Sequence, residues 1–544
     1  MSEFKLKGVT SLDLKPGDKR EVEVEGIDDA KVLLLNAGGQ LQALGPKCTH
    51  YGAPLVKGVL TKSGRLVCPW HGACFNAKTG DVEDAPALDS LAVFKIVEKD
   101  GAVYVQGEEA AIKAGRRKPN IKCRASSAPD LDKVVIVGGG SGTIGAVEAL
   151  RENGFSGSIT VISREGYFPI DRTKLSKALL TDVEKAQWRD AEWFKSGSID
   201  FVEDEVTGVD LSNKTVTTKK DGKYTYGKLI LATGGTPRNL PVQGFQVLDN
   251  IFLLRTLHDA KKIVAAIGEK NKKIIIVGSS FIGMELANCT SADNTVSIIG
   301  MESVPLERVL GKEVGAGLQK GFEGKGIKFY MSAGVEKAEP SVSDPSKVGA
   351  VVLKDGTKLE ADIVILGVGV APATEFLKDN KVIRLEEDGS LKTDDNYLVS
   401  GVKDVYAIGD IATYPYHGPG GNGSYTRIEH WNVAQNMGRA VAKHIANPSA
   451  KPEFVTPVFW SALTGQLRYC GNTVNGWDDV VLQGDPAEGK FVAYYCKGET
   501  VVAVASMGKD PAMTKAAELM REGAMPSKGQ FQNGLDILEV SLVA

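Results

Sequence analysis

Apolar positions along this chain change their rhythm three times. Up to residue 107 they come in short runs: EVEVEG (21–26), KVLLLNAG (31–38), RLVCPW (65–70), LAVFKIVE (91–98) and AVYVQG (102–107). Gly, Asp and Pro break these runs, a pattern that predicts β-strands. Residues 108–130 are polar with Pro, Ser and Lys, and predict an interdomain linker. KVVIVGGGSGTIGAVEALRENGF (133–155) then reads as an apolar strand ending at Val137, a glycine turn and an amphipathic helix. The same strand–turn–helix order returns at KKIIIVGSSFIGMELA (272–287). From TPVFW (456–460) to the end, strands are expected with a helix at KAAELMREG (515–523).

A chain of 544 residues is too long for one hydrophobic core. It is 42% hydrophobic and 24% charged, as globular proteins are, and many of its 62 glycines cluster after apolar runs. A net charge of −3 gives no global field for nucleic acid. The basic run Arg116–Arg117–Lys118, beside Pro119, is read as solvated linker. No run approaches the ~18 apolar residues of a membrane span. The first residues lack an apolar h-region and carry many acids, so a cytoplasmic protein is expected, or a mitochondrial one if a targeting segment has been removed. Seven cysteines (48, 68, 74, 123, 289, 470 and 496), an odd number, argue against a disulfide framework.

Two of those cysteines have a sharper use. Cys48-Thr-His50 and Cys68-Pro-Trp-His71 are two loops, each offering one thiolate and one imidazole. A structural zinc is one reading, but zinc fingers usually pair Cys with Cys and His with His. Mixed loops suit a Rieske centre, in which one iron takes two Cys and the other two His. CTHYGAPLVKGVL (48–60) and CPWHGACFNAKTGDVEDAP (68–86) resemble the ligand loops of Rieske ferredoxins. The resemblance makes Cys48, His50, Cys68 and His71 ligands of a [2Fe–2S] cluster and leaves Cys74 non-ligating. High-potential relatives carry a disulfide and a Ser hydroxyl where Ala53, Trp70 and Ala73 stand here. Fewer hydrogen bonds to the sulfurs imply a low potential, toward ~−150 mV.

The glycine turns are placed where a dinucleotide fold needs them. In the first, Gly138 and Gly140 follow the strand directly, with Thr143 at the third motif position; a literal G-x-G-x-x-G (Gly140, Gly142, Gly145) would run two residues late. Glu165, just beyond the strand SITVIS (158–163), is an acid placed for the adenosine ribose. The second turn has Gly278 and Gly283, with Ser280 in the middle position. Between them lies LILATGG with Gly234, and later DVYAIGDIA with Asp410, the residue type that bonds the FAD ribitol in two-dinucleotide flavoproteins.

With all these segments in order, the chain resembles the Rieske-containing relatives of apoptosis-inducing factor, and its body is similar to the reductases of Rieske-oxygenase systems. YFPIDRTKLSK (167–177) resembles their YxPYDRPxLSK segment, with Ile170 and Thr173 as departures. LLRTLHDA, VPLERVLGKEVG, RIEHWNVAQNMG, FWSALTGQLRYCG and FVAYYCKG also fall in family order. The implied fold is multidomain, α/β and β: an all-β Rieske domain (1–107), a linker (108–130), a Rossmann-like FAD domain (131–258 with 378–448), an NAD(P)H domain (259–377) and a C-terminal α+β domain (449–544). The resemblance implies that Arg172 and Lys177 lie at the flavin, that Glu285 pairs with the lysine and meets the nicotinamide, and that Trp431 stacks near the flavin ring. His430 is read as structural. Glu302, two residues after TVSIIG (295–300), and the lack of an arginine directly there favour NADH over NADPH.

The expected function is therefore transfer of electrons from NADH or NADPH through FAD to the Rieske cluster and on to an unidentified acceptor, without nucleic acid and with a homodimer as a possible state. Two alternatives stand beside it: a redox sensor of low turnover, and a flavin NADH oxidase whose cluster loops hold zinc.

Overall fold

A computed structural model of the chain describes residues 2–119, 121 and 133–542; Cys123 and the end of the expected linker lie outside them. The N-terminal runs form two antiparallel sheets. One has six strands in the order Ser2–Lys5, Ala102–Gly107, Val93–Lys99, Gln40–Leu44, Lys31–Ala37 and Lys19–Glu23. The other has four: Val59–Leu60, Arg65–Val67, Cys74–Asn76 and Val82–Asp84. KVLLLNA is buried on both faces because side chains alternate along a strand. Leu33 and Leu35 join the core under the two cysteine loops, while Val32 and Leu34 face a second core with Phe94 and Val105.

That second core corrects the expected linker. Glu109–Ala114 is helical, with Ile112 buried against Phe94 and Val105, and Gly115 closes the helix in the left-handed region. Arg116–Arg117 then pairs with Ser90–Leu91. One buried residue in a six-residue helix leaves no period to read. The basic run stays exposed, as expected, with Arg117 paired to Asp81 and Arg116 3.7 Å from Asp89.

The body contains two parallel sheets. The first runs Ile199–Glu203, Ile159–Ser163, Val134–Val137, Lys228–Leu231 and Val405–Ala407. The second runs Ile251–Leu253, Ile363–Leu366, Lys273–Val277, Thr295–Ile299 and Lys328–Tyr330. Strands covered on both faces need near-continuous apolar runs, which VVIV, KIIIV and IVIL supply. The second sheet recruits Ile251–Leu253, upstream of the expected boundary at 259, because that strand pairs with Ile363–Leu366. Residues from Val458 onward form a five-stranded antiparallel sheet backed by the helix Ala512–Arg521.

The N-terminal domain is bolted to the rest. Val59, Val67 and Cys74 share one core with Val458, Cys470 and Val504. Arg65, nearly buried, reaches Glu518 at 2.9 Å and also pairs with Glu83 and Asp84. Arg189 joins Asp89 of the N-terminal domain (2.8 Å) to Glu148 of the body (2.6 Å). Among the described residues no helix is long and apolar enough to cross a membrane.

Candidate functional site

The two cysteine loops have the same backbone design. The Cys48 amide donates to the Ala53 carbonyl and the Cys68 amide to the Ala73 carbonyl, each at 2.8 Å. Each loop turns through a left-handed glycine before that alanine, Gly52 (φ 77°) and Gly72 (φ 75°), a conformation that costs glycine little. Ala53 and Ala73 are themselves buried, so the small side chains noted in the sequence let the loops pack closely.

The four candidate ligands sort into two pairs. His50 and His71 point their Nδ1 atoms at each other across 3.1 Å, and the Cys48 and Cys68 thiols share a hydrogen bond. Among the described residues no group of three His, Cys, Asp or Glu side chains converges on one point. Two separate pairs fit a two-iron cluster, whereas one zinc needs four donors around a single centre. The donor chemistry agrees. Burial depresses the His50 imidazole to about 3 and takes His71 well below its ordinary value, so both rings are neutral donors. Burial pushes both thiols up, but hydrogen bonds from Cys48 and from the Trp70 and His71 amides bring Cys68 below its ordinary value. Cys74 is fully buried with its Sγ toward Glu83, away from this set.

A cavity of about 460 Å³ lies between the two parallel sheets and the C-terminal sheet. It continues into a second of about 180 Å³, and Gly140, Arg172, Ala232, Gly234 and Arg255 line both. Gly138 (φ 115°) makes the sharp turn, and a Cβ there would meet the Ala232 carbonyl oxygen at 2.1 Å. Gly140 has ordinary extended backbone, and a Cβ on it would meet no protein atom within 4 Å. Protein packing therefore does not require glycine at 140; the open space beside it is what a pyrophosphate at a helix N-terminus would fill. Thr143 donates its hydroxyl to the Gly138 carbonyl at 2.7 Å. Gly142 and Gly145 have a different use: they let the helix Ser141–Glu152 pack closely on Trp431–Ala446, whose Gly438 could carry no Cβ beneath the Gly142 carbonyl.

The charged groups of the cavity are ordered by one another. Glu165 lines the smaller cavity and takes Arg172 at 2.5 Å. Burial favours its protonated form, but Arg172, with Tyr167 and Arg255 behind it, holds the carboxyl below its usual range. Asp410 pairs with Arg255 at 3.0 Å beside Gly234. Lys177 lies 3.0 Å from Glu285, which also accepts from Ser176 (2.5 Å) and Ser461 (2.6 Å). Glu285 is only 3% exposed, so this fourfold arrangement fixes a buried carboxylate at the cavity wall. Trp431 lines the cavity as the first residue of its helix, with its indole N–H unpartnered among the described residues. His430 caps that helix through Nδ1, and burial takes it down to about 3, so it is neutral.

In the second turn a Cβ on Gly278 would meet Gly367 O at 2.2 Å, and one on Gly283 would meet Gly278 O at 2.1 Å. Ser280 caps the helix Phe281–Thr290 and donates to the Gly367 carbonyl at 3.1 Å. Glu302 stands past the end of Thr295–Ile299 and pairs with Arg308 at 2.7 Å.

Several residues at this site were not singled out by the sequence. Trp460 lines the cavity and also meets His71 in a tilted ring contact with centroids 4.4 Å apart. Tyr51 stacks on His50 at 3.7 Å and donates a short hydrogen bond to Asp171, the neighbour of Arg172. Trp188 stands between His50 (5.7 Å) and Trp431 (6.0 Å). Tyr51 and Trp460 lie in segments of family order and Trp188 in none, and only tertiary packing tells that these residues meet the cysteine loops.

Comparison with known proteins bears on the whole chain. Residues 132–438 match the family described as pyridine nucleotide-disulphide oxidoreductase, residues 5–95 the Rieske [2Fe-2S] domain, and residues 458–536 the reductase C-terminal domain. Over 526 residues the chain is 40% identical to apoptosis-inducing factor 3 of Homo sapiens, covering 96% of this chain and 84% of that one. A ferredoxin reductase from Rhodopseudomonas palustris superposes with a TM-score of 0.68 at 26% identity, over 73% of this chain and 96% of that one. Putidaredoxin reductase in its covalent complex with putidaredoxin gives 0.67 at 26% identity, over 72% and 93%.

Proposed function

Because the chain belongs to the pyridine nucleotide-disulphide oxidoreductase family and carries a Rieske [2Fe-2S] domain at its N-terminal end, we propose that it moves electrons from NAD(P)H to that cluster inside one chain, and from there to an external acceptor. FAD, when bound, supplies the conversion of a two-electron hydride into single electrons, the unit in which an iron–sulfur cluster changes charge. The observation that carries the reading is Trp460, which meets His71 in a tilted ring contact and lines the same cavity as Lys177 and Glu285.

The protein's own groups divide the work. Gly138 and Gly140 make room for the pyrophosphate, and Thr143 braces the turn. Glu165 receives the adenosine ribose, with Arg172 holding it in place. Asp410, oriented by Arg255 beside Gly234, takes the ribitol chain. Lys177 places a cation at the flavin ring, and Glu285, paired with it, orients the nicotinamide. Gly278, Ser280 and Gly283 shape the second nucleotide turn, and Glu302 meets the NADH ribose. Trp431 covers the ring side of the cavity. Cys48 and Cys68 hold one iron, and His50 and His71 the other.

The test is an anaerobic titration of the purified protein with NADH, then NADPH, read by absorbance and low-temperature EPR. Flavin bleaching with a Rieske-type signal is the expected result. Bleaching without that signal refutes internal transfer.

A further inference from the structure

Lys174, Lys177 and Arg468 lie around the cysteine-loop pair and differ in how well their charge is matched. Lys174 is 37% exposed at its side chain and lies 3.7 Å from Asp171. Lys177 is paired with Glu285 at 3.0 Å. Arg468 is 3% exposed, and its nearest carboxylate, Asp510, stands at 3.4 and 3.5 Å from Nε and Nη2. Those distances exceed the roughly 2.7–2.9 Å of a good charge-assisted pair. The third guanidinium nitrogen, Nη1, is buried and has no hydrogen-bond partner among the described residues.

The sheet register aims this charge. Arg468 and Trp460 are direct partners on the antiparallel strands Gln466–Gly471 and Val458–Ala462. Directly opposed residues emerge on the same face. On that face Trp460 makes a tilted ring contact with His71 at 4.4 Å and approaches His50 at 5.6 Å. Arg468 therefore emerges next to Trp460 on the sheet face that meets the two imidazoles, at the junction of the N-terminal and C-terminal domains.

We propose that Arg468, supplied by the C-terminal domain, sets the reduction potential of the cluster, holding it above what the cysteine loops alone would give and so drawing electrons out of the flavin. A positive charge in a poorly screened site stabilises the added electron directly, because the reduced cluster carries one more negative charge. Asp510 tempers that effect from its half-exposed position. Arg468 is a positioning residue for charge, not a ligand. The proposal rests on the reading that Cys48, His50, Cys68 and His71 hold the cluster.

The experiment is a redox titration of the full-length holoprotein, following the EPR signal of the reduced cluster, for wild type, Arg468→Gln, Arg468→Lys and Asp510→Asn. Arg468→Gln is expected to lower the midpoint, changing the ratio of reduced to oxidised cluster at fixed potential by about tenfold, or about 59 mV for one electron. Arg468→Lys should return most of the shift, and Asp510→Asn should move the midpoint upward. A wild-type signal whose midpoint is unchanged in both Arg468→Gln and Asp510→Asn, or moves the same way in both, overturns the proposal alone. If Arg468→Gln cannot hold the cluster, an unchanged or lowered midpoint in Asp510→Asn overturns it equally. No Rieske-type signal in the wild type overturns the cluster reading and this proposal with it.

Discussion

Trp460 and His71 stand with ring centroids 4.4 Å apart and planes inclined by 36°, and the indole continues from that contact into the wall of the 460 Å³ cavity. Aromatic contact from the cluster loop to the flavin cavity is thereby unbroken. Trp460→Leu should leave NADH-dependent flavin bleaching at its normal rate while slowing the rise of the cluster EPR signal by roughly tenfold or more. Stopped-flow absorbance with rapid-freeze EPR separates the two phases. Equal slowing of both would mean that Trp460 shapes nucleotide binding rather than transfer.

Glu285 is held by Lys177, Ser176 and Ser461 in a nearly water-free wall. Glu285→Gln keeps the shape but removes the charge, leaving Lys177 without its partner. Hydrogen bonds to charged groups are worth about 1.5–3 kcal/mol, so kcat/KM for NADH with ferricyanide should fall by roughly 10–100-fold. FAD content, read from the visible spectrum, should be unchanged. An unaltered kcat/KM would remove Glu285 from the nicotinamide site.

In the proposed reading, coenzyme choice turns on Glu302, whose partner Arg308 stands 2.7 Å away. Glu302→Ala takes away the acceptor for a ribose hydroxyl and frees the guanidinium for a 2′-phosphate. The ratio of kcat/KM for NADH over NADPH is expected to drop by about tenfold. Steady-state kinetics with both coenzymes decide it, and a ratio unmoved by the substitution would place recognition elsewhere.

Glu148, fully buried between Arg189 and the domain seam, has its carboxyl pushed up by burial to about 7, an effect that Arg189 only partly offsets. The same pairing raises Arg189, so the carboxyl is the group that titrates. A raised carboxyl pKa means the folded chain keeps a proton that the unfolded chain gives up near 4.5. Its contribution is therefore full below that value, falls as pH rises, and is lost above about 7. Relative to wild type, Glu148→Gln should gain stability from pH 5 to 8, by roughly 3 kcal/mol at most. Thermal unfolding at both pH values measures the difference, and a Tm gap that does not change with pH would contradict it.

The sequence made the chemistry of single loops readable and left their meeting unread. Cys48, His50, Cys68 and His71 announce themselves because each loop packs thiol, imidazole, glycine and alanine into six residues. Gly138 and Gly278 are visible because a turn after an apolar strand has little use for them except close backbone approach. Trp460 and Arg468 carry no such local mark. They matter because a two-strand register sets them side by side and Trp460 meets His71, a contact spanning several hundred residues of chain. The helix Glu109–Ala114 was missed for the opposite reason: it is too short for any period, and Ile112 alone holds it. The strand Ile251–Leu253 escaped because three residues beside a loop gain their identity only from Ile363–Leu366.

The shared core of Val59, Val67 and Cys74 with Val458, Cys470 and Val504 changes what kind of device this is. A reductase that meets a separate carrier depends on collisions, and its throughput follows carrier concentration and ionic strength. Here donor and first carrier are one solid body, so that dependence disappears for the first hop. Dilution and salt can then act only on the arrival of coenzyme and on the departure of electrons to the outside.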